Sequence, residues 1–595
     1  MPLTPGIDPR DAAPIPPGRP AAALRAVIRT HYDTASFRAD VMAGLVVGLV
    51  ALPLSMALAI ASGVPPQYGL YTAIVAGAVT AVLGGSRVQV TGPTAAFVAV
   101  LVPVTAQFGL GGLLVATLMA GILLVILGVT GMGRLVEFVP FPVTLGFTAG
   151  ISVVIATLQL RDFLGLTVRH MPEPYLSKLG ALWAALPTMR PPELAVGAAT
   201  LAVLIAWPRW TRLSRRIPGP LVAIIAGGAL AYVMAEAGSD LRVATVNSRF
   251  TYEVHGVAHA GIPRLPPQPV LPWRMPGPEG QPLVLGFALL RALAPAAFAI
   301  AMLGAIESLL SAVVADGMSG HKHDSDAELV AQGIGNIVAP FLGGFAATGA
   351  LARTAANIRA GARSPLAAVF HSIFLLVAVV LVAPLLGYLP MASLAALMLV
   401  VAWNMVEWRH FGHTVRRAPR SDVAVLLACF GLTVLFDMVV AVTAGIVMSS
   451  LLFMRRMAEV SGTRLIGPEH PELDVPLPRG VLLYEIAGPL FFGAAQKALA
   501  AITVIDRREV RTVVLDVRSV PALDHTGLIA LESLIKRLNG RAIKVILAGV
   551  QPQPMRVFAR AGWRNRRGFL RIFRSFDRAI ALARHSAHGT DRTRA

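Results

Sequence analysis

The chain has 595 residues, with 52 Lys and Arg against 32 Asp and Glu, 55% hydrophobic and 14% charged residues, and a mean hydropathy of +0.68. Soluble domains average about 25% charged residues, so an ordinary water-soluble protein is excluded and most of this chain belongs in lipid. The net charge of +20 sits in short basic clusters between apolar runs, as topology signals do, which argues against a nucleic-acid partner.

Residues 1–36 begin Pro-rich with Asp8, Arg10, Asp11 and Arg19, and lack the apolar core of a secretory signal; they are expected to be disordered and cytoplasmic. Val41 to Ser86 and Val88 to Gly133 carry no charge, and each block is about twice the ~20 residues of one spanning helix. Further apolar segments follow at 138–160, 194–208, 217–235, 285–315, 329–352, 364–406 (room for two helices), 423–436 and 438–454. With a short helix just after Arg353, fourteen segments are expected within a transport domain at 37–456. With the N-terminus inside, the basic connections around Arg209–Arg216, Arg359–Arg363, Arg409–Arg420 and Arg455–Arg456 all fall on the cytoplasmic side. The Pro-rich connections 161–192 and 238–283 then fall outside.

After a linker at 457–479, residues 480–584 regain charge and alternate strand-like runs (VLLYEIAG, TVVLDV, IKVILAGV) with helical ones (AAQKALAAITVI, TGLIALESLIKRL, QPMRVFARAG). That pattern predicts a small cytoplasmic α/β domain, followed by a disordered tail at 585–595. The one cysteine, Cys429, lies in an apolar run and reads as a small buried hydrophobe.

Two segments do not read as continuous spanning helices. GGSRVQVTGPTAAFVAV (84–100) breaks at Gly92-Pro93, and its apolar stretch ends at Pro103; GGFAATGALARTAANIRAG (343–361) shares the Gly-Gly opening and the Thr-Gly step. They are the third and tenth of fourteen segments, equivalent places in two repeats of seven, and an odd-numbered repeat inserts with opposite orientation. Two facing helix N-termini make an anion site through free N–H groups and dipole ends. Arg353, three residues past the second break, adds a full positive charge there. Glu307, midway along an apolar stretch in the eighth segment, either balances Arg353 or carries a proton with the substrate. Asp437 reads as an outer hairpin residue, His371 as a satisfied core side chain, and the HKHD run at 321–324 as a solvated loop. No enzyme, ATP-binding, metal or cofactor motif stands in a suitable context, so no catalytic residue, metal or cofactor is expected.

LPLSMALAIASGVPPQYGLY (52–71), GGSRVQVTGPTAAF (84–97), AIESLLSAVVADGMSG (305–320), ELVAQGIGNIVAPFLGG (328–344) and ARTAANIRAGARSP (352–365) resemble the SulP anion permeases, and 480–584 resembles that family's STAS domain. The resemblance implies an α-helical polytopic membrane protein of fourteen transmembrane segments in a 7+7 inverted repeat, with half-helices at the third and tenth positions and a C-terminal cytoplasmic STAS domain. It implies a multi-pass inner-membrane location with both termini cytoplasmic, elevator-like alternating access and a homodimer. Carried over, the substrate site holds Thr94, Ala95, Ala96 and Phe97 at the third helix and Ala352, Arg353 and Thr354 at the tenth, lined by Leu54, Ser55 and Met56 from the first, with Glu307 as the proton-coupling group. Many members have Gln where this chain has Leu54 and Tyr where it has Leu58. That departure, with IASGVPPQYGLYTAIVAG and VAWNM, resembles the DauA-like C4-dicarboxylic acid transporter branch, implying uptake of succinate, fumarate or aspartate with protons. A sulfate or bicarbonate permease, an anion channel and a STAS-centred scaffold are the competing readings. In the STAS-like part Asp516, Asp524 and Thr526 match the regulatory strand–turn–helix, with Thr526 either a helix N-cap or a phosphorylation site that engages a cytoplasmic protein partner.

Overall fold

The computed structural model describes residues 20–29, 32–133, 140–168, 171–172, 174–210, 217–254, 257–278, 280–436, 438–460, 462–466, 476–491, 510–566 and 569–588. The chain divides into two compact units, Met1–Ile446 and Val447–Ala595.

In chain order the helices of the first unit are α1 (Ala22–Arg29), α2 (Thr34–Ala61), α3 (Pro66–Leu83), α4 (Ala95–Val129), α5 (Phe141–Phe163), α6 (Tyr175–Ala185), α7 (Pro191–Trp210), α8 (Gly219–Ala237), α9 (Val246–Arg249), α10 (Phe287–Ser319), α11 (Ser325–Val338), α12 (Leu351–Arg359), α13 (Leu366–Leu386), α14 (Met391–Met405), α15 (Trp408–Arg417) and α16 (Arg420–Leu435). A last helix, α17 (Met438–Val460), runs on into the second unit. Strands β1 (Thr91–Gly92) and β4 (Thr348–Gly349) interrupt the helices, and β2 (Thr251–Val254) with β3 (Val257–Ala260) forms a hairpin in one Pro-rich connection. Proline stands at the N-cap of α3, α5, α8, α14 and α16, where its fixed φ ends the preceding connection and its missing N–H costs the helix nothing.

Among the described residues ten helices are long and apolar enough to cross a membrane. Each of the fourteen expected segments has a helical counterpart in order, because α4 is two helices in one. Its 35 residues are bent at Gly109 (φ 66°, ψ −169°), a backbone state open to glycine. The turn therefore comes six residues after Pro103, which sits inside the helix instead of ending it.

Packing sorts the helices into two groups. α2, α3, α4, α10, α11, α12 and α13 pack on one another, whereas α5, α7, α8, α14 and α16 form a second set. Within the first group glycines let backbones touch: a Cβ on Gly121 of α4 would stand 2.8 Å from the Gly333 carbonyl of α11, and one on Gly333 would stand 2.7 Å from the Gly121 carbonyl.

The second unit has a five-stranded sheet in the order β5 (Gly462–Ile466), β6 (Val481–Ala487), β7 (Thr512–Asp516), β8 (Lys544–Ala548), β9 (Leu570–Ile572), parallel except at β5. Leu528, Leu531, Leu534 and Leu538 of α18 (His525–Gly540) and Phe558 of α19 (Pro552–Arg560) fill one face; Ala579, Ile580 and Ala583 of α20 (Phe576–His588) fill the other.

Three boundary expectations need correction. The stretch expected to be disordered at 1–36 contains α1, whose Ala22, Ala23 and Val27 are buried and whose entry is tied by the Ala21 amide to the Leu83 carbonyl. The linker at 457–479 contains β5, an edge strand that covers β6. The tail at 585–595 begins as the end of α20, which runs to His588. Residues 1–19, Asp437 and the helical run at 494–505 lie outside the described residues.

Gly349 is a close point of the packing around the ribbon, since a Cβ there would strike the Gln89 amide and approach Ser308 Cα at 3.1 Å. Gly349→Ala is expected to cost about 1–3 kcal/mol by overpacking, read as a lowered melting temperature of the detergent-purified protein. Gly431→Ala, where a Cβ meets nothing within 4 Å, is the control and is expected to hold or raise that temperature.

Candidate functional site

The two broken segments meet. β1 and β4 pair antiparallel, Thr91 with Gly349 and Gly92 with Thr348, so the two Thr-Gly steps read from the sequence hydrogen-bond to each other. Each strand feeds a helix: β1 leads through Pro93 and Thr94 into α4, and β4 leads through Ala350 into α12. Antiparallel strands send their helices in opposite directions from one ribbon, and Arg353 in the first turn of α12 reaches Pro93 just before α4.

Among the described residues neither helix start has a side-chain cap. Thr94 has the extended backbone of an N-cap (φ −123°, ψ 156°), but its hydroxyl donates to Glu307 Oε2 at 2.7 Å and makes no cap bond to its own helix. Ala350, the N-cap of α12, has no side-chain acceptor to offer. The first-turn N–H groups of both helices are thus left for something else.

One face of α12 laces the strand segment of the other half. The Ala350 amide donates to the Val90 carbonyl at 2.9 Å, Thr354 Oγ1 accepts from the Val90 amide at 3.1 Å, and Asn357 Nδ2 donates to the Val88 carbonyl at 2.9 Å. Arg353, 3% exposed, donates one guanidinium nitrogen to the Pro93 carbonyl and lies against Gly92, where a Cβ would collide with it. Its other terminal nitrogen, Nη1, is buried with no hydrogen-bond partner among the described residues. Arg353 therefore ties the two helix starts together and still has a donor to give.

The structure brings Thr94, Glu307, Arg353 and Thr354 to the ribbon, with Ala95, Ala96 and Phe97 buried in the first turn of α4 and Ala352 exposed in the first turn of α12. Ser55 and Met56 are fully buried and Leu54 half-buried on α2, which packs against α12; the Ser55 hydroxyl has no partner among the described residues. His371 is buried with neither ring nitrogen bonded among the described residues, so the expected satisfied core histidine is corrected to an unsatisfied one. In the second unit Asp516, 2% exposed, is held by Arg518, whose Nη2 reaches it at 2.8 Å. The cap of α18 is Asp524, which accepts from the Gly527 amide at 2.6 Å; Thr526 lies inside the first turn and is not the N-cap.

Several residues at the site escape sequence reasoning. Glu328, Gln332 and Asn336 serve the broken segments from α11, and their signal was the four-residue spacing of polar groups in ELVAQGIGN. Asp40, which the sequence reading does not single out, is fully buried on α2. It accepts from the Arg363 amide at 2.7 Å, the Ser364 amide at 3.2 Å, the Ser364 hydroxyl and the Tyr32 phenol at 2.8 Å. Burial and this bond to a carboxylate push the Tyr32 phenol up to about 12.

The chain matches the profile of the Sulfate permease family over residues 37–429 and that of the STAS domain over 472–579. It is 37% identical to the putative sulfate transporter YvdB of Bacillus subtilis over 92% of this chain and 98% of that protein. It is 30% identical to the bicarbonate transporter BicA of Picosynechococcus over 88% of this chain and 90% of that protein. Among solved structures, the murine anion transporter Slc26a9 in an inward-facing state superposes with a TM-score of 0.81 at 18% identity, covering 94% of each chain, which shows a shared fold. The transmembrane domain of a cyanobacterial bicarbonate transporter, BicA, superposes with a TM-score of 0.58 at 28% identity over 69% of this chain and 98% of that one. A membrane unit built on two meeting half-helices, followed by an α/β unit with the STAS profile, agrees with these matches: the chain belongs to the sulfate permease family, multi-pass membrane anion transporters rather than enzymes.

Proposed function

We propose that this protein moves a small inorganic oxyanion, sulfate or bicarbonate, across the inner membrane by secondary active transport. The observation that carries this reading is the pair of uncapped helix N-termini meeting at the β1–β4 ribbon beside an Arg353 nitrogen with no partner among the described residues. Helix N-termini each present roughly half a positive charge and directed N–H groups, and a tetrahedral or planar oxyanion satisfies donors from both at once. Arg353 adds one cation; a bound anion gives its buried Nη1 an acceptor.

The site chemistry favours a small anion over a C4-dicarboxylate. A C4-dicarboxylate holds its two charges apart, and its second carboxylate would have to be placed near the acidic Glu307 at Thr94, whereas sulfate or bicarbonate keeps its charge in one compact group. The relatives also carry sulfate and bicarbonate names. The DauA-like assignment keeps one supporting feature, the apolar Leu54 and buried Phe97, on which carbon atoms would rest. Glu307 is the group assigned to proton coupling, because its carboxylate accepts from the hydroxyl of Thr94, the residue that opens α4. Basic residues in the even-numbered connections support cytoplasmic termini, and family resemblance supports homodimeric assembly.

In proteoliposomes the protein is expected to accumulate labelled sulfate or bicarbonate against its gradient, with uptake unaffected by excess succinate. Accumulation of succinate, with neither inorganic anion taken up, would replace this reading by the dicarboxylate one; current without accumulation would make the protein a channel. Arg353→Ala is expected to lower anion uptake at least about tenfold, the scale of one lost charge-assisted hydrogen bond. Glu307→Gln keeps an acceptor for Thr94 and is expected to abolish accumulation driven by a pH gradient while leaving downhill anion flux; undiminished pH-driven accumulation would remove Glu307 as the proton carrier.

A further inference from the structure

Glu328, Gln332 and Asn336 stand at every fourth position of α11, on one helix face, each 2% exposed or less. All three are committed to the broken segments. Glu328 Oε2 accepts from the backbone amides of Gly85 at 3.0 Å and Ser86 at 3.1 Å, while its Oε1 accepts from Gln332 Nε2 at 3.0 Å. The same Gln332 nitrogen donates to Thr91 Oγ1 of β1 at 2.7 Å. Asn336 closes a two-bond clamp on Ala347, the residue before β4, donating to its carbonyl and accepting from its amide, both at 2.8 Å.

The first two rungs hold the approach to β1 and β1 itself; the third holds the approach to β4. A helix rises about 1.5 Å per residue, so a single rigid element spaces the two strands of the ribbon. That element is itself fixed, since the backbone of α11 touches that of α4 at Gly333 and Gly121.

We propose that Glu328, Gln332 and Asn336 are positioning residues of the anion site: a polar ladder on α11 that sets the spacing of the two helix N-termini and thereby the affinity for the anion. The inference rests on reading the ribbon as the anion site. The ladder touches no part of the anion; it acts through Thr91 and the backbone at Gly85, Ser86 and Ala347. Breaking a rung lets the ribbon shift against α12, so the donors of the two helix starts no longer converge on one point.

The test uses the full-length protein in proteoliposomes with labelled sulfate or bicarbonate, whichever the unaltered protein accumulates. Gln332→Leu and Thr91→Val remove the same bond from its two ends. Each is expected to raise KM about tenfold with Vmax per folded molecule within about twofold, and the double variant is expected to be no worse than the poorer single one. Glu328→Gln is the conservative rescue. Its carbonyl oxygen still accepts from Gly85 and Ser86, and its amide donates to Gln332, which turns over to accept there and from the Thr91 hydroxyl. KM is then expected to stay within about threefold.

An unchanged KM in Gln332→Leu or Thr91→Val, a loss confined to Vmax, or additive losses in the double variant would overturn the ladder. If Gln332→Leu does not fold, Thr91→Val decides alone, since it removes one hydroxyl and keeps the side-chain volume. Failure of the unaltered protein to take up any of these anions would instead sink the reading of the site, and the ladder's link to affinity with it.

Discussion

Four residues carry the architecture: Thr91 and Gly92 paired with Thr348 and Gly349. Extended backbone at membrane depth has no water to bond with, so every amide and carbonyl there needs a protein partner. The ribbon supplies some of these bonds itself, and α12 with its N-cap supplies others at the Val88 carbonyl, the Val90 amide and carbonyl and the Pro93 carbonyl. Once both segments are extended at the same place, two helices begin there, and among the described residues neither has a side-chain cap. The break that the fold must satisfy is also the feature on which the proposed anion site rests.

The grammar of the break was legible in the sequence because it is written in residues with fixed backbone consequences. Gly92-Pro93 cannot continue a helix, and the matching Thr-Gly step before Ala350 marks its counterpart. Charge-free lengths gave the helix segments. Pro103 misled, because a proline inside a packed membrane helix can be accommodated; the turn needed the positive φ of Gly109 instead.

Partner choice was not legible. Nothing local says that the Thr94 hydroxyl serves Glu307 in place of its own helix, that Asp524 and not Thr526 caps α18, or that Asp40 reaches across to Arg363 and Ser364. Each pairs residues through tertiary contact or through competition between two acceptors of equal reach. The short helix at Ala22–Arg29 and the edge strand at Gly462–Ile466 were missed for a related reason: each is held by its neighbours and not by its own composition.

The glycine contact between α4 and α11 bears on how such a protein moves its cargo. Backbones meeting at Gly121 and Gly333 leave no side chains to act as a lubricating layer, and displacement along that seam would drive peptide groups into one another. Any motion of the membrane unit that spares these backbone contacts keeps α4, α11 and the ribbon together as one piece.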